Sequence, residues 1–117
     1  MSNAVVRWQM ISPDPARTVK FYETMFGWST SQANALGYRE ITAGDGGIDG
    51  GVWPAPPNAA GFVQLYISVD DVPAAIVQAE SLGASVIVPA SQLPDGDSMA
   101  VLRDPTGAPF VVCTLRK

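Results

Sequence analysis

The feature that most constrains the fold of this 117-residue chain is an internal repeat. A run with helical spacing of apolar residues begins after Asp14 and stops at Gly27, and a second begins after Asp70 and stops at Gly83. The two aspartates and the two glycines each lie 56 residues apart. A capping aspartate followed by a proline marks a helix start, and a glycine marks its end. The predicted helices of this duplicated unit are 15–26 and about 73–82.

Short strand-like runs surround both predicted helices. One run precedes each helix and three follow it, separated by turns rich in glycine, aspartate and proline. Each half is therefore predicted as β-α-β-β-β. The predicted strands are 5–11, 28–30, 38–43 and 50–53 in the first half, and 62–69, 85–88, 98–102 and 109–115 in the second.

The length fits one compact domain of the α+β class, composed of two such modules. Module one is predicted over about 5–53 and module two over about 62–115. The intervening segment 54–61 is rich in proline, which blocks helix formation and removes strand donors, so we expect a stiff extended linker.

Composition excludes several classes of function. The chain has 7 basic and 11 acidic residues and a formal net charge of -4, whereas nucleic-acid binders present basic surfaces. It contains no histidine, which removes the commonest general base and metal ligand. A single cysteine fits a reducing compartment, and the sequence has neither a long apolar run nor a signal-peptide pattern. We therefore expect a cytoplasmic protein that binds neither nucleic acid nor membrane.

The order of elements, together with several short motifs, resembles the vicinal oxygen chelate superfamily. That superfamily includes glyoxalase, bleomycin-resistance proteins and extradiol dioxygenases. The resemblance implies half-open, curled sheets around a cavity, completed by a second chain in a homodimer. The motifs that carry the resemblance are Phe26-Gly27-Trp28, Gly50-Gly51-Val52, Val69-Asp70-Asp71 and Asp104-Pro105-Thr106-Gly107.

The metal ligands that the resemblance implies are missing from this sequence. Family metalloenzymes use a His or Glu on each of four strands. The matching positions hold Arg7, the strand 50–53, Gln64 and Val111. A guanidinium cannot ligate a cation, valine has no donor atom, and one amide oxygen is a weak ligand for a transition ion. We therefore predict no metal and no cofactor.

Alternation along the predicted strands extends these positions to a pocket. If Arg7 and Gln64 face inward, then Gln9 and Tyr66 do so as well, whereas Val63 and Leu65 should pack under a helix. Arg7 would bind an anionic ligand group, unless it pairs internally with Glu40 or Asp49. Trp53 would cover a flat ligand, unless it packs in the core or a dimer interface, and the glutamines fit a structural role equally well. The predicted ligand-binding residues are Arg7, Gln9, Val52, Trp53, Gln64, Tyr66, Val111 and Cys113.

Three functions remain open on the sequence. The first is a metal-independent binder of the bleomycin-resistance type, which holds an aromatic or amphipathic small molecule in a dimer cleft without turnover. The second is a metal-independent isomerase or lyase, with Glu40 or Tyr66 carrying a proton and Arg7 stabilising an enolate. For an active enzyme, the resemblance implies a glyoxalase-like lyase or isomerase or a dioxygenase. The third is a structural or regulatory dimer whose cavity is closed.

Overall fold

The structure is a computed structural model that describes residues 3–93 and 96–114. In this part of the chain the order β-α-β-β-β occurs twice, which confirms the predicted α+β class. Leu115, the predicted end of the last strand, lies outside the described residues. The first half comprises β1 (Val5–Ser12), α1 (Pro15–Phe26), β2 (Ser29–Thr30), β3 (Arg39–Thr42) and β4 (Gly50–Pro54). The second comprises β5 (Phe62–Ser68), α2 (Val72–Ser81), β6 (Ser85–Gln92), β7 (Ser98–Arg103) and β8 (Pro109–Cys113).

Local sequence sets both helix starts. The Asp14 carboxylate accepts a hydrogen bond from the Arg17 amide at 3.2 Å, and the Asp71 carboxylate accepts one from the Ala74 amide at 3.0 Å. These bonds satisfy amide groups that the first helical turn leaves without partners. The cap of α2 is Asp71 rather than Asp70, so the capping aspartates of the repeat are 57 residues apart, one more than the predicted 56.

Contacts divide the chain into two compact units. One consists of residues 7–64, and the other contains the described residues before and after that range. In the 7–64 unit the strand order is β2-β3-β4-β1, with β4 parallel to β1. In the other unit the order is β6-β7-β8-β5, with β8 parallel to β5. Both halves therefore return their last strand to the side of their first one.

The core of the 7–64 unit lies between α1 and its strands. Val19 of α1 packs with Ile41 and Val52, and all three side chains are buried. Trp8 and Trp28 close this cluster, with ring centroids 5.6 Å apart. The face of the strands toward α1 is thus occupied by apolar side chains.

The other unit is packed on both faces of its sheet. Toward α2, Val72 packs with Ala100, Leu102 and Val112. On the opposite face, a second cluster contains Val6, Tyr66, Val111 and Cys113.

The prediction that Val63 and Leu65 pack under a helix is wrong. They are 59% and 47% exposed, respectively. Helix α2 contacts β6, β7 and β8, so along this run only Val69, just beyond β5, joins the cluster below α2. Aliphatic residues at alternate positions of a strand therefore do not by themselves show that a helix packs on that strand.

None of the helices within residues 3–93 and 96–114 has the length and apolar character needed to cross a bilayer.

Leu102→Ala is expected to lower the free energy of unfolding by about 2–5 kcal/mol, because it opens a cavity in the cluster below α2. Leu102 is fully buried, whereas Leu82, at 69% exposure, provides a matched control. Leu82→Ala should change the unfolding free energy by less than about 0.5 kcal/mol. Urea unfolding followed by circular dichroism measures both, and equal effects would contradict this core assignment.

Candidate functional site

A face of polar and aromatic side chains is built by the pairing of β1 and β3 with β4. Gln9 lies beside Gly51, and Gly51 also pairs with Glu40. Neighbouring residues on paired strands share a side of the sheet, and successive residues alternate sides. Because Trp8 and Val52 point into the core below α1, Gln9 and its neighbours point away from it. We call the following set the polar face: Arg7, Gln9, Tyr38, Glu40 and Trp53.

Arg7 is held on the polar face by neutral groups. Its Nη2 atom donates hydrogen bonds to the Gly50 carbonyl at 2.9 Å and to the Tyr38 hydroxyl at 3.2 Å. It forms no ion pair with a carboxylate of the described residues, and Asp49 instead accepts a hydrogen bond from the Ala43 amide at 3.1 Å. The guanidinium therefore keeps a positive charge that no described acidic side chain neutralises by direct contact.

Tyr38 belongs to this face and was missed by the sequence analysis. Its ring lies across β4 at Gly51, where an added Cβ atom would overlap the Tyr38 hydroxyl. The ring also contacts Trp53, with centroids 4.6 Å apart and planes inclined by 35°. The sequence does contain a signal for it. Tyr38 lies two residues before Glu40, so both side chains share a face of the sheet, and a glycine on the neighbouring strand leaves room for a ring.

Burial changes the acidity of the Tyr38 hydroxyl. It raises the pKa of Tyr38 above its ordinary value, because the phenolate would lose hydration. The positive charge and hydrogen bond of Arg7 act in the opposite direction, and the negative charge of Glu40 adds to the increase. The phenol is therefore neutral near pH 7 and acts as a hydrogen-bonding group rather than a base.

The side-chain oxygen of Gln9 is buried and lacks a hydrogen-bond partner. The residue is 3% exposed, and its Oε1 atom is buried without a hydrogen-bond partner. Its amide also interacts with the Tyr38 hydroxyl. A buried polar atom without a partner costs about 1–3 kcal/mol, so native proteins rarely retain one.

The other predicted ligand-binding residues are buried. Val52 has no exposed surface and packs below α1, so it lies on the opposite side of its strand from the polar face. Val111 and Cys113 are fully buried, and Tyr66 is 3% exposed, in one tightly packed cluster. Gln64 is 6% exposed. Within the 7–64 unit, Arg7, Gln9 and Trp53 of the predicted set share the polar face.

The residues at the positions that the resemblance assigns to metal ligands do not fit a divalent ion. At the first metal position, Arg7 donates hydrogen bonds. At the second, strand β4 provides only side chains without a carboxylate or imidazole: Gly50, Gly51, Val52 and Trp53. At the fourth, Val111 is enclosed by apolar neighbours. Gln64 contributes one amide oxygen. Across residues 3–93 and 96–114, no three His, Cys, Asp or Glu side chains form a group able to hold a metal. A site of this kind requires several anionic or imidazole ligands.

The 7–64 unit also contains a pocket of about 270 Å³ that the sequence analysis did not predict. The hydroxyls of Ser12 and Thr18, 2.7 Å apart, lie on its wall with Tyr22 and Phe62. Its polar side chains are neutral, and the Ser12 and Thr18 hydroxyls are already hydrogen-bonded to each other, so the charged polar face provides the stronger recognition chemistry.

Comparison with known proteins establishes the family. A family profile described as a glyoxalase-like domain matches residues 5–113. The chain belongs to the glyoxalase-like domain family. This places it in the vicinal oxygen chelate superfamily, as the sequence motifs indicated.

Relatives from Mycobacterium bovis and Mycobacterium tuberculosis, each described as "Putative glyoxylase CFP32", are 32% identical over 107 residues. The match includes 89% of this chain and 41% of theirs, so the chain spans about two fifths of the length of these curated relatives.

Solved structures share the fold at low sequence identity. An NAD-dependent benzaldehyde dehydrogenase structure from Legionella pneumophila aligns with a TM-score of 0.67 and 20% identity, over 94% of this chain and 98% of that one. Methylmalonyl-CoA epimerase from Mycobacterium tuberculosis aligns with a TM-score of 0.67 and 12% identity, over 97% and 91% of the two chains. At these identities the likeness concerns the fold alone.

The raised pKa of Tyr38 predicts a loss of stability in alkali. A group whose pKa is raised on folding contributes stability below its unfolded pKa of about 10, and this contribution disappears as the pH rises through the folded value. Wild-type protein should therefore lose more unfolding free energy between about pH 8 and about pH 11 than Tyr38→Phe does. Urea unfolding at both pH values measures this difference. Tyr22→Phe, which retains Tyr38, should behave as wild type; identical pH dependence in all three proteins would refute the assignment.

Proposed function

We propose that this protein is a metal-independent small-molecule binder whose polar face holds an aromatic ligand through an anionic group. The single observation that carries the proposal is the Arg7 guanidinium, fixed by Gly50 and Tyr38 and unpaired with any described carboxylate. Membership in the glyoxalase-like domain family supports a small-molecule-binding role.

The charge of Arg7 determines the ligand group that we propose. Arginine remains protonated at every physiological pH and forms bidentate hydrogen bonds with carboxylates and phosphates. Its Nη2 atom is used by the protein, which leaves Nη1 and Nε as donors for a ligand. A ligand carboxylate would neutralise a charge that otherwise stands alone at this position.

The aromatic part of the proposed ligand follows from Tyr38 and Trp53. These two rings contact each other beside Arg7, and Trp53 is only partly buried. Aromatic pairs of this kind contribute about 0.5–1.5 kcal/mol beyond their area of burial, and a third ring can extend the contact. A flat ligand that carries a carboxylate would use both features.

A second chain that completes the ligand cleft remains part of the proposal. The resemblance to the superfamily is the basis of this expected homodimer. The large exposed apolar residues of α1 are compatible with such a contact: Phe21, Met25 and Phe26.

Arg7→Met is expected to weaken the binding of benzoate-type carboxylates by roughly 10- to 150-fold, since a hydrogen bond to a charged group contributes about 1.5–3 kcal/mol. Arg103→Met removes an exposed arginine outside the polar face and should leave affinity unchanged. Isothermal titration calorimetry measures both. Prior treatment of the wild-type protein with a chelator should not alter the affinity, and loss of binding after chelation would overturn the metal-independent proposal.

An enzymatic alternative is favoured by one observation, the location of Glu40. Glu40 is exposed on the polar face, and its charge acts on Tyr38, so a carboxylate and a guanidinium flank one surface. Such a pair could move a proton from a carbon acid and stabilise the resulting enolate. Tyr66, the other candidate proton carrier, is 3% exposed inside an apolar cluster, so Glu40 is the better placed of the two.

Glu40→Gln separates the binder from the enzyme. For an isomerase, proton exchange of a bound carbon acid with deuterated solvent should fall at least about 100-fold in the variant, while ligand affinity is retained. Nuclear magnetic resonance of the ligand measures the exchange. For a binder, as we propose, wild type and Glu40→Gln should both show only the uncatalysed rate.

A third function, a structural dimer with a closed cavity, is supported by the filled cluster of Tyr66, Val111 and Cys113. The polar face of the 7–64 unit argues against it, because a purely structural surface has no need for an uncompensated guanidinium beside an unpartnered buried amide oxygen.

A further inference from the structure

We infer that the pocket of about 270 Å³ in the 7–64 unit is a second binding site, for a small neutral molecule that carries a ring and a carbonyl oxygen. The pocket is formed by residues 10–13 around the end of β1, by Thr18 and Tyr22 of α1, and by residues 61–63. Met10 packs with the core below α1, so it lies on the other side of β1 from the polar face. The site is therefore separate from that of the proposed function, and either can be tested without the other.

The lining of the pocket determines the charge and the size of the ligand. Among the described residues that form it, none has a charged side chain. An ion that leaves water without a partner of opposite charge is strongly disfavoured, so the pocket selects neutral molecules. Its volume lies just below the range of about 300–1,000 Å³ that is typical of sites for drug-sized ligands, which fits a molecule with one ring.

The two hydroxyls on the pocket wall leave one proton for a ligand. Ser12 Oγ and Thr18 Oγ1 are 2.7 Å apart, and Ser12 Oγ also accepts a hydrogen bond from the Asp14 amide at 3.0 Å. Two hydroxyls carry two protons, and their mutual hydrogen bond uses one. Within residues 3–93 and 96–114, neither hydroxyl has another acceptor. One donor of the pair thus remains available, and it requires an acceptor such as a carbonyl oxygen.

Burial decides which hydroxyl provides this donor. Ser12 is 4% exposed, whereas Thr18 is only partly buried. A hydroxyl proton without an acceptor is costly on a buried oxygen, and the cost falls as the oxygen becomes accessible. Ser12 therefore donates to Thr18, and the Thr18 hydroxyl donates to the ligand.

Packing holds the other walls of the pocket in place. The Tyr22 ring stacks on Trp28, with centroids 5.3 Å apart and planes inclined by 9°. Gly61 lies against the end of β1, where an added Cβ atom would be 3.3 Å from a carbonyl oxygen of that strand. Walls that are fixed before binding reduce the entropy that binding costs. Phe62 and Val63, 40% and 59% exposed, supply apolar surface that a bound ring would cover.

The experiment uses acetophenone and α-methylstyrene, which differ only in an oxygen atom or a methylene group on the same carbon. Amide chemical shifts of isotope-labelled protein, followed by nuclear magnetic resonance, give both the affinity and the site. Acetophenone should shift the signals of residues 10–12 and 61–63. Because the alkene is the more hydrophobic probe, the informative quantity is how the ratio of the two affinities changes between proteins.

Thr18→Val should lower the preference for acetophenone over α-methylstyrene by about 5-fold or more relative to wild type, because it leaves the bound carbonyl without a donor. Thr18→Ser keeps a hydroxyl and should keep the wild-type ratio. Thr24→Val alters an exposed threonine of α1 and should also leave the ratio unchanged. Each ratio compares two ligands on one protein, so reduced stability of a variant does not distort it.

The remaining outcomes would overturn the inference. They are shifts confined to other residues, no binding of acetophenone up to its solubility limit, and a ratio that Thr18→Val does not change. Competition by benzoate, or weaker acetophenone binding in Arg7→Met, would place the probe on the polar face and overturn it as well. If benzoate does not bind at all while acetophenone binds as described, the proposed function fails and this second site stands.

Discussion

The constraint on which this structure depends is the parallel return of β4 to the side of β1. Three strands follow α1, and the last of them crosses back to pair with the first, which sets Gln9 beside Gly51. That register decides which side chains share a face. A shift of one residue would turn Arg7 and Gln9 toward α1 and place Trp8 among the polar groups. The apolar core below α1 therefore fixes the composition of the polar face as well.

The second half of the chain has the same topology as the first but different side chains at an equivalent strand pair. Gln9 pairs with Gly51 in the first half, and Tyr66 pairs with Val111 at the corresponding place in the second. A glycine leaves space that the ring of Tyr38 can cross, whereas a valine fills that space and joins an apolar cluster. The two halves thus differ in packing on this side of the sheet because of side-chain volume at one paired position.

A guanidinium at the position that the resemblance assigns to a metal ligand offers a ligand different chemistry from that of a metal ion. A divalent ion can polarise a substrate oxygen by direct coordination, whereas arginine can only donate hydrogen bonds and supply one delocalised charge. Binding of an anion requires no more than that. The neutral phenol of Tyr38 and the carbonyl of Gly50 hold the guanidinium in place without cancelling its charge.

The sequence by itself determined the element order, the bounds of α1 and the position of α2 to within one residue, because caps and glycines are local properties. It also predicted that Gln9 shares a face with Arg7, since alternation along one strand needs no knowledge of its neighbours. Only the tertiary structure placed Val52 in the core, brought Tyr38 across Gly51 to Arg7, and left Oε1 of Gln9 without a partner. These facts depend on which strands pair and in what register, and on where a helix lies, which are contacts between residues far apart in the chain.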